Sequence, residues 1–263
     1  MSVKKLPEGC LVGPFVGELY WECFRFAPYI IYLKKRYPRR KFVVFTRPER
    51  FDLYGKYADI FVPLVLRNES NYKQDCFGLH GIRDDDYKYL NSYYVRKYRP
   101  NFSYVERILP DIDSWRYKVK WQFPRHKMDY DFLPRGGHSK ILKNKMVFKN
   151  LVFIDLDDEE CICVDEKYQF ISSSWLSDFY LVYGKQIEHS LVGFMIELIK
   201  RSSFVIGRGN RFASRMALLL GTPLISIDDV TSDDDFHLIN PLNTKIIRSC
   251  SISEGIKIYE DNI

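Results

Sequence analysis

The chain has 263 residues, 46% of them hydrophobic and 28% charged, with a net charge of +6. That length holds one large domain or two small ones, and that apolar share supports packed cores, so a disordered or fibrous chain is excluded. The apolar runs are short and broken by charge, which excludes a membrane-spanning helix, and the charge is too modest to separate an anionic partner from ordinary solubility.

Residues 1–10 include basic side chains but no apolar stretch, so no signal peptide is expected. The six cysteines are Cys10, Cys23, Cys76, Cys161, Cys163 and Cys250. They show no zinc spacing. Only Cys161 and Cys163 are close, as alternation on one strand would place them, so reduced, mostly buried thiols in a cytoplasmic protein are expected. Alanine is scarce while Lys, Ile, Asn, Asp, Tyr and Phe are common, a usage that fits an AT-rich coding sequence such as a viral one.

Strand and helix signals alternate from the start. Residues 10–16 read as a short apolar strand ending at Gly17. Residues 18–37 have helical spacing, with Leu19, Cys23, Phe26, Ile30 and Leu33 three or four apart. Pro28 predicts a kink or a restart there. Lys34, Lys35 and Arg36 suit the C-terminal end of a helix, and Pro38 is its stop signal. A strand at 41–46, a short helix at 48–57 and a strand at 59–64 follow. This order predicts a parallel sheet with right-handed crossovers.

Residues 67–150 carry tyrosines and basic side chains but few periodic runs. A helix suits 87–98, a strand 115–123 and a turn 135–138. Regular patterning resumes with strands at 151–154 and 179–183. An amphipathic helix spans 191–201, with His189 and Ser190 at its cap. Residues 204–227 then read as strand, glycine-bearing turn, short helix, tight turn and strand. The expected fold is α/β, with two Rossmann-like domains at 1–145 and 146–263 facing a cleft. Neither an internal repeat nor a low-complexity tract is evident.

Two strand-ending turns are suited to chemistry. The later one is Gly207-Arg208-Gly209-Asn210. Free N–H groups at a helix N-terminus bind anions, and glycines let a phosphate approach closely. Arg208, Arg211 and Arg215 add fixed positive charge, so a phosphorylated guest, most naturally a nucleotide-linked donor, is expected. Asn210 suits a helix cap or a bond to that guest. The earlier turn runs from Gly13 to Glu18. Ligands of open α/β sheets bind outside the carboxyl ends of strands, so the two turns would line the donor and acceptor walls of one cleft. Glu22 and Arg25, three apart on a helix, suit an ion pair with each other.

Asp155 and Asp157 have the spacing of a strand-end metal site. They would suit a metal-dependent transferase, or an aspartate-nucleophile phosphatase with Asp228 and Asp229 as its late acidic pair. Neither reading explains residues 1–64, and acidic runs at 84–86 and 233–235 make a solvated turn the plainer account. The five histidines show no ligand spacing, and no serine-nucleophile elbow is present. Tyr93, Tyr94, Arg96, Lys97 and Arg99 suit base stacking and phosphate contact, or simply partly buried rings and solvated charges.

These motifs resemble the heptosyltransferase-like group of GT-B glycosyltransferases. In that group a first-strand turn carries Gly and an acidic residue, then a helix ending in basic residues and Tyr-Pro; here these are Gly17-Glu18 and Lys35-Arg36-Tyr37-Pro38. Its second signature is a helix, a strand, an Asp-Ser-Gly-x-x-His turn, an apolar helix and Leu-Gly-Thr-Pro. The helix from Leu191, the strand at 204–206, the apolar run 216–220 and Gly221-Thr222-Pro223 match. Asn210, Arg211 and Arg215 stand where the group has Asp, Ser and His. The resemblance covers about residues 10–64 and 190–228.

It implies a metal-independent, inverting transfer of a sugar from a nucleotide-sugar donor to a hydroxyl of a glycan or lipid-linked saccharide, with no cofactor beyond the donor. It implies Glu18 as the base, and Gly207, Arg208, Gly209, Asn210, Arg211, Arg215 and Lys185 around the donor, whose departing diphosphate needs positive charge. Gly17, Arg25 and His138 fall on the acceptor side. A nucleic-acid acceptor, and a non-catalytic module that binds nucleotide, phosphate or a protein, stand as alternatives.

Overall fold

Apolar, β-branched runs pair side by side in parallel in both halves of the chain. The computed structural model describes residues 6–15, 19, 22–64, 73–75, 78–80, 84–109, 129, 150–156, 167–173, 191–208, 211–227 and 242–262. The chain divides into two units, Met1–Phe132 and Leu133–Ile263.

In the first unit β1 (Glu8–Val12), β2 (Lys41–Thr46), β3 (Ile60–Pro63) and β6 (Tyr104–Ile108) form a parallel sheet of order β3-β2-β1-β6. A short antiparallel pair, β4 (Lys73–Asp75) and β5 (Gly78–His80), stands apart from it. Alternation sends Leu11, Val43 and Phe45 to one face, where they pack with Val62, Leu90 and Tyr94. Leu90 and Tyr94 come from α2 (Asp84–Tyr98), four apart on its buried side. The Tyr94 hydroxyl donates to the carbonyl of Val43, tying α2 to the sheet's centre.

The restart expected at Pro28 is present. A π-helical turn, Glu22–Phe26, gives way to α1 (Ala27–Arg36), with the proline in the first turn where its missing N–H costs nothing. Lys34 near the end of α1 donates to Asp59 at 2.6 Å, beside β3. The short helix expected at 48–57 is two 3-10 stretches, Pro48–Leu53 and Gly55–Tyr57. The strand expected at 115–123 lies outside the described residues.

In the second unit β7 (Leu151–Asp155), β8 (Gln169–Ser172), β9 (Phe204–Gly207), β10 (Leu224–Ile227) and β11 (Ile246–Ser249) form a parallel sheet of order β11-β10-β9-β7-β8. Val152, Ile154, Ile206, Ile225 and Ile247 share one face with Ile256 of α5 (Ile252–Glu260). Gly207 points the other way, toward Ser214 of α4 (Phe212–Leu220). α3 (Leu191–Arg201) packs on α4, and the Thr222 hydroxyl donates to the Ile199 carbonyl at 3.1 Å. Gly221 ends α4 in the left-handed conformation, φ 79°, which a side chain would strain. The strand expected at 179–183 falls outside the described residues.

The glycine at 207 has a packing reason. A Cβ there would sit 2.5 Å from Ser214 Oγ, so α4 can lie this close to β9 only over a bare backbone. Gly207→Ala is expected to destabilise the protein by about 1–3 kcal/mol through overpacking. Ser214 Oγ is buried with no hydrogen-bond partner among the described residues, so adding Ser214→Ala should recover much of that loss. Thermal unfolding of the two single variants and the double variant checks the coupling; strictly additive effects would refute it.

Candidate functional site

Each sheet reverses its strand order once. In the first unit the chain runs outward β1, β2, β3 and then returns to β6 on the other side of β1. In the second it runs β7 to β8, then crosses to β9 and outward through β10 and β11. The reversal points are therefore β1/β6 and β7/β9, and crevices outside the carboxyl ends of such strand pairs are where open α/β sheets bind ligands. At the first, the Gly13 N–H donates to the Ile108 carbonyl at 2.9 Å. Gly17 and Glu18, the turn that follows, lie outside the described residues.

At the second crevice Asp155 ends β7 and Gly207 ends β9, directly paired in register. Arg208 leaves the strand, and a turn closed by the Arg211 N–H on the Arg208 carbonyl at 2.9 Å leads into α4. Arg211 is the N-cap, in place of the expected Asn210, and its side chain makes no capping bond. The cap comes from across the sheet. Asp155 Oδ2 accepts the Ala213 N–H at 3.0 Å, Oδ1 accepts the Ser173 hydroxyl at 3.0 Å, and Arg211 Nη1 stands 3.7 Å from Oδ1. A carboxylate on an unmet helix N–H is favoured by both the hydrogen bond and the helix dipole. The protein's own acid thus fills part of the anion cradle that the sequence assigned wholly to a ligand.

The guanidinium groups differ in access. Arg215, in the second turn of α4, is 6% exposed. The Arg211 side chain is 30% exposed while Asp155 beneath it is 8% exposed, so Arg211 leans on the acid and faces outward. Arg208 is half-buried. Gly209, Asn210, Lys185 and Asp157 lie outside the described residues. Among the described residues no group of three or more His, Cys, Asp or Glu side chains converges as a metal site.

In the first unit Glu22 does not pair with Arg25 as their spacing suggested. It is fully buried, accepting from the Thr46 hydroxyl at 2.6 Å, the Tyr54 hydroxyl at 2.6 Å and Arg50 Nη1 at 2.8 Å. The reason is the π turn: its wider winding carries residue i+3 off the face it would share in an α-helix. Burial, and then the Glu22 charge, push the Tyr54 phenol well above its ordinary range. Arg25 is itself buried, and His138 is outside the described residues. No local sequence pattern signals the Ser173 contact or the capping role of Asp155; both depend on which strands lie side by side.

No protein family and no curated protein matches this chain by sequence. Solved structures do. The E. coli heptosyltransferase WaaC with ADP aligns at a TM-score of 0.50 and 10% identity, over 97% of this chain and 99% of that one. E. coli ADP-heptose lipopolysaccharide heptosyltransferase II aligns at 0.48 and 12%, over 97% of this chain and 100% of that one. A glycosyl transferase family 9 structure from Veillonella parvula aligns at 0.41 and 11%, over 99% and 92%. The chain has the heptosyltransferase fold.

The α/β class and the two Rossmann-like units read from the sequence are those of the GT-B structures it matches. At this identity the likeness is one of fold, and activity is a matter of the site. Among the described residues no helix is long and apolar enough to cross a membrane.

Proposed function

We propose that this chain is a glycosyltransferase that moves a sugar from a nucleoside-diphosphate donor to a hydroxyl of a glycan or lipid-linked saccharide, without a metal and with inversion. The observation that carries this reading is the reversal point of the second sheet. There the carboxyl ends of β7 and β9 meet, and Arg211 stands outward over Asp155. WaaC, which shares the fold, was solved with ADP, and a diphosphate is the ligand chemistry that Arg208 and Arg211 suit.

In the reaction Glu18 takes the proton of the acceptor hydroxyl. The freed oxygen attacks the anomeric carbon, the bond from that carbon to the diphosphate oxygen breaks, and the guanidinium groups take up the charge of the departing diphosphate. Asp155 positions Arg211 and the first turn of α4. The enzyme would be cytoplasmic; of the cysteines among the described residues, Cys10 and Cys23 are buried and Cys250 is exposed.

Calorimetric titration with uridine, guanosine, cytidine and adenosine diphosphates, followed by transfer assays with the matching sugar donors, tests it. Arg211→Ala is expected to weaken binding of the preferred diphosphate about 10- to 100-fold, the usual worth of a charge-assisted contact. Binding of none of the four nucleotides would overturn the reading. The occupied helix terminus at Asp155 favours a second one, a nucleotide-binding module without turnover; diphosphate binding with no product from any donor would select it.

A further inference from the structure

A second cationic pocket lies at the opposite end of the first sheet, and the mechanism above does not use it. It encloses about 530 Å³ between the start of β1, the C-terminal end of α1 and the segment before β6. That volume is in the range of small-molecule sites. Because all the strands run in parallel, Glu8, Lys41 and Tyr104 mark the amino edge of the sheet. The carboxyl edge, where β1 ends at Val12, is about 15 Å away along this five-residue strand.

Three arginines line this pocket, Arg36, Arg39 and Arg40. Arg40 is compensated, pairing with Glu8 and Glu106. The other two are not: Arg36 donates to the neutral phenol oxygen of Tyr32 at 3.0 Å, and neither Arg36 nor Arg39 pairs with a carboxylate among the described residues. Beside them is an apolar wall. Tyr37 is 37% exposed with the Arg40 guanidinium 4.4 Å from its ring centre, and Leu6 is 50% exposed.

We propose that this pocket binds an organic phosphate, a phosphate monoester carried on a planar or apolar body. Two uncompensated guanidinium groups match the charge of a monoester, about −1.5 to −2 at neutral pH. Guanidinium forks suit phosphate oxygens, and Tyr37 with Leu6 offers the body a surface to lie on. The site lies at the amino edge of the sheet, whereas open α/β sheets bind their substrates outside the carboxyl edge, so its occupant is an effector or an anchoring group and not the sugar donor.

Calorimetric titration with phenyl phosphate, inorganic phosphate and phenol tests the site on the full chain. Phenyl phosphate is expected to saturate with one-to-one stoichiometry and to bind more tightly than inorganic phosphate; phenol is expected not to bind. The double variant Arg36→Gln, Arg39→Gln should lose at least about tenfold in phenyl phosphate affinity at unchanged melting temperature, since both side chains are on the surface. Arg211→Gln should leave it unchanged, which separates this pocket from the proposed donor site. The proposal is overturned by absence of saturation, by equal affinity for inorganic phosphate, or by loss of binding in Arg211→Gln instead of the double variant.

Discussion

Glu22→Ala is expected to cost about 3–5 kcal/mol of stability, the loss that follows when one member of a buried ion pair is removed. The carboxylate is fully buried and holds three donors, from Thr46, Arg50 and Tyr54. Its removal takes from the fully buried Arg50 guanidinium the carboxylate that stands 2.8 Å from its Nη1. Two hydroxyls lose their acceptor in the same step, each adding a cost of its own. Urea unfolding followed by circular dichroism measures the loss. Replacing both partners, Glu22→Leu with Arg50→Met, should cost clearly less than Glu22→Ala alone, because the buried guanidinium leaves together with its carboxylate. A loss below about 1 kcal/mol in Glu22→Ala would mean that water reaches the cluster and that the pair behaves as a surface one.

Glu18→Gln is expected to lower the transfer rate about 10²- to 10⁴-fold, the usual worth of a general base, while leaving affinity for the nucleoside diphosphate unchanged. The amide keeps the size of the side chain but cannot take a proton. The assignment comes from the resemblance, in which Glu18 follows the glycine ending the first strand. The helical segment just beyond is anchored by Glu22, so the π turn is held to β2 through Thr46 and to the 3-10 stretch through Arg50. General-base efficiency depends on holding hydrogen-bond distance to the acceptor hydroxyl. Single-turnover transfer rates read beside calorimetric binding separate the roles. A fall in both would mark a structural residue, and a rate that holds would return the base to another side chain.

The central strands were legible because burial on both faces writes an apolar run into the sequence. β1, β2, β7, β9 and β10 were all read this way, and α1, α3 and α4 by their spacing. β6, β8 and β11 were not read, and each is an edge strand of its sheet. An edge tolerates polar residues such as Glu106, Arg107, Gln169 and Arg248, so the pattern fades where the sheet meets water. Register hid the site in the same way. Asp155 and Arg211 are far apart in sequence and meet only because β7 lies beside β9, which no local pattern encodes. The Glu22–Arg25 pairing that α-helical spacing predicts gives way to Glu22–Arg50 because the chain adopts a wider turn there.

The acid at the end of β7 changes the terms on which a phosphate could be held. At a helix terminus the amides hold an anion by hydrogen bonds of fixed geometry, and the dipole that assists them is screened by salt. With Asp155 already on the Ala213 amide, a larger share of the attraction at this spot falls to the guanidinium groups of Arg208 and Arg211, which mobile ions in solution screen. On the proposed function, retention of the departing diphosphate would then depend on the ionic surroundings as well as on the cradle, which suits release of the product.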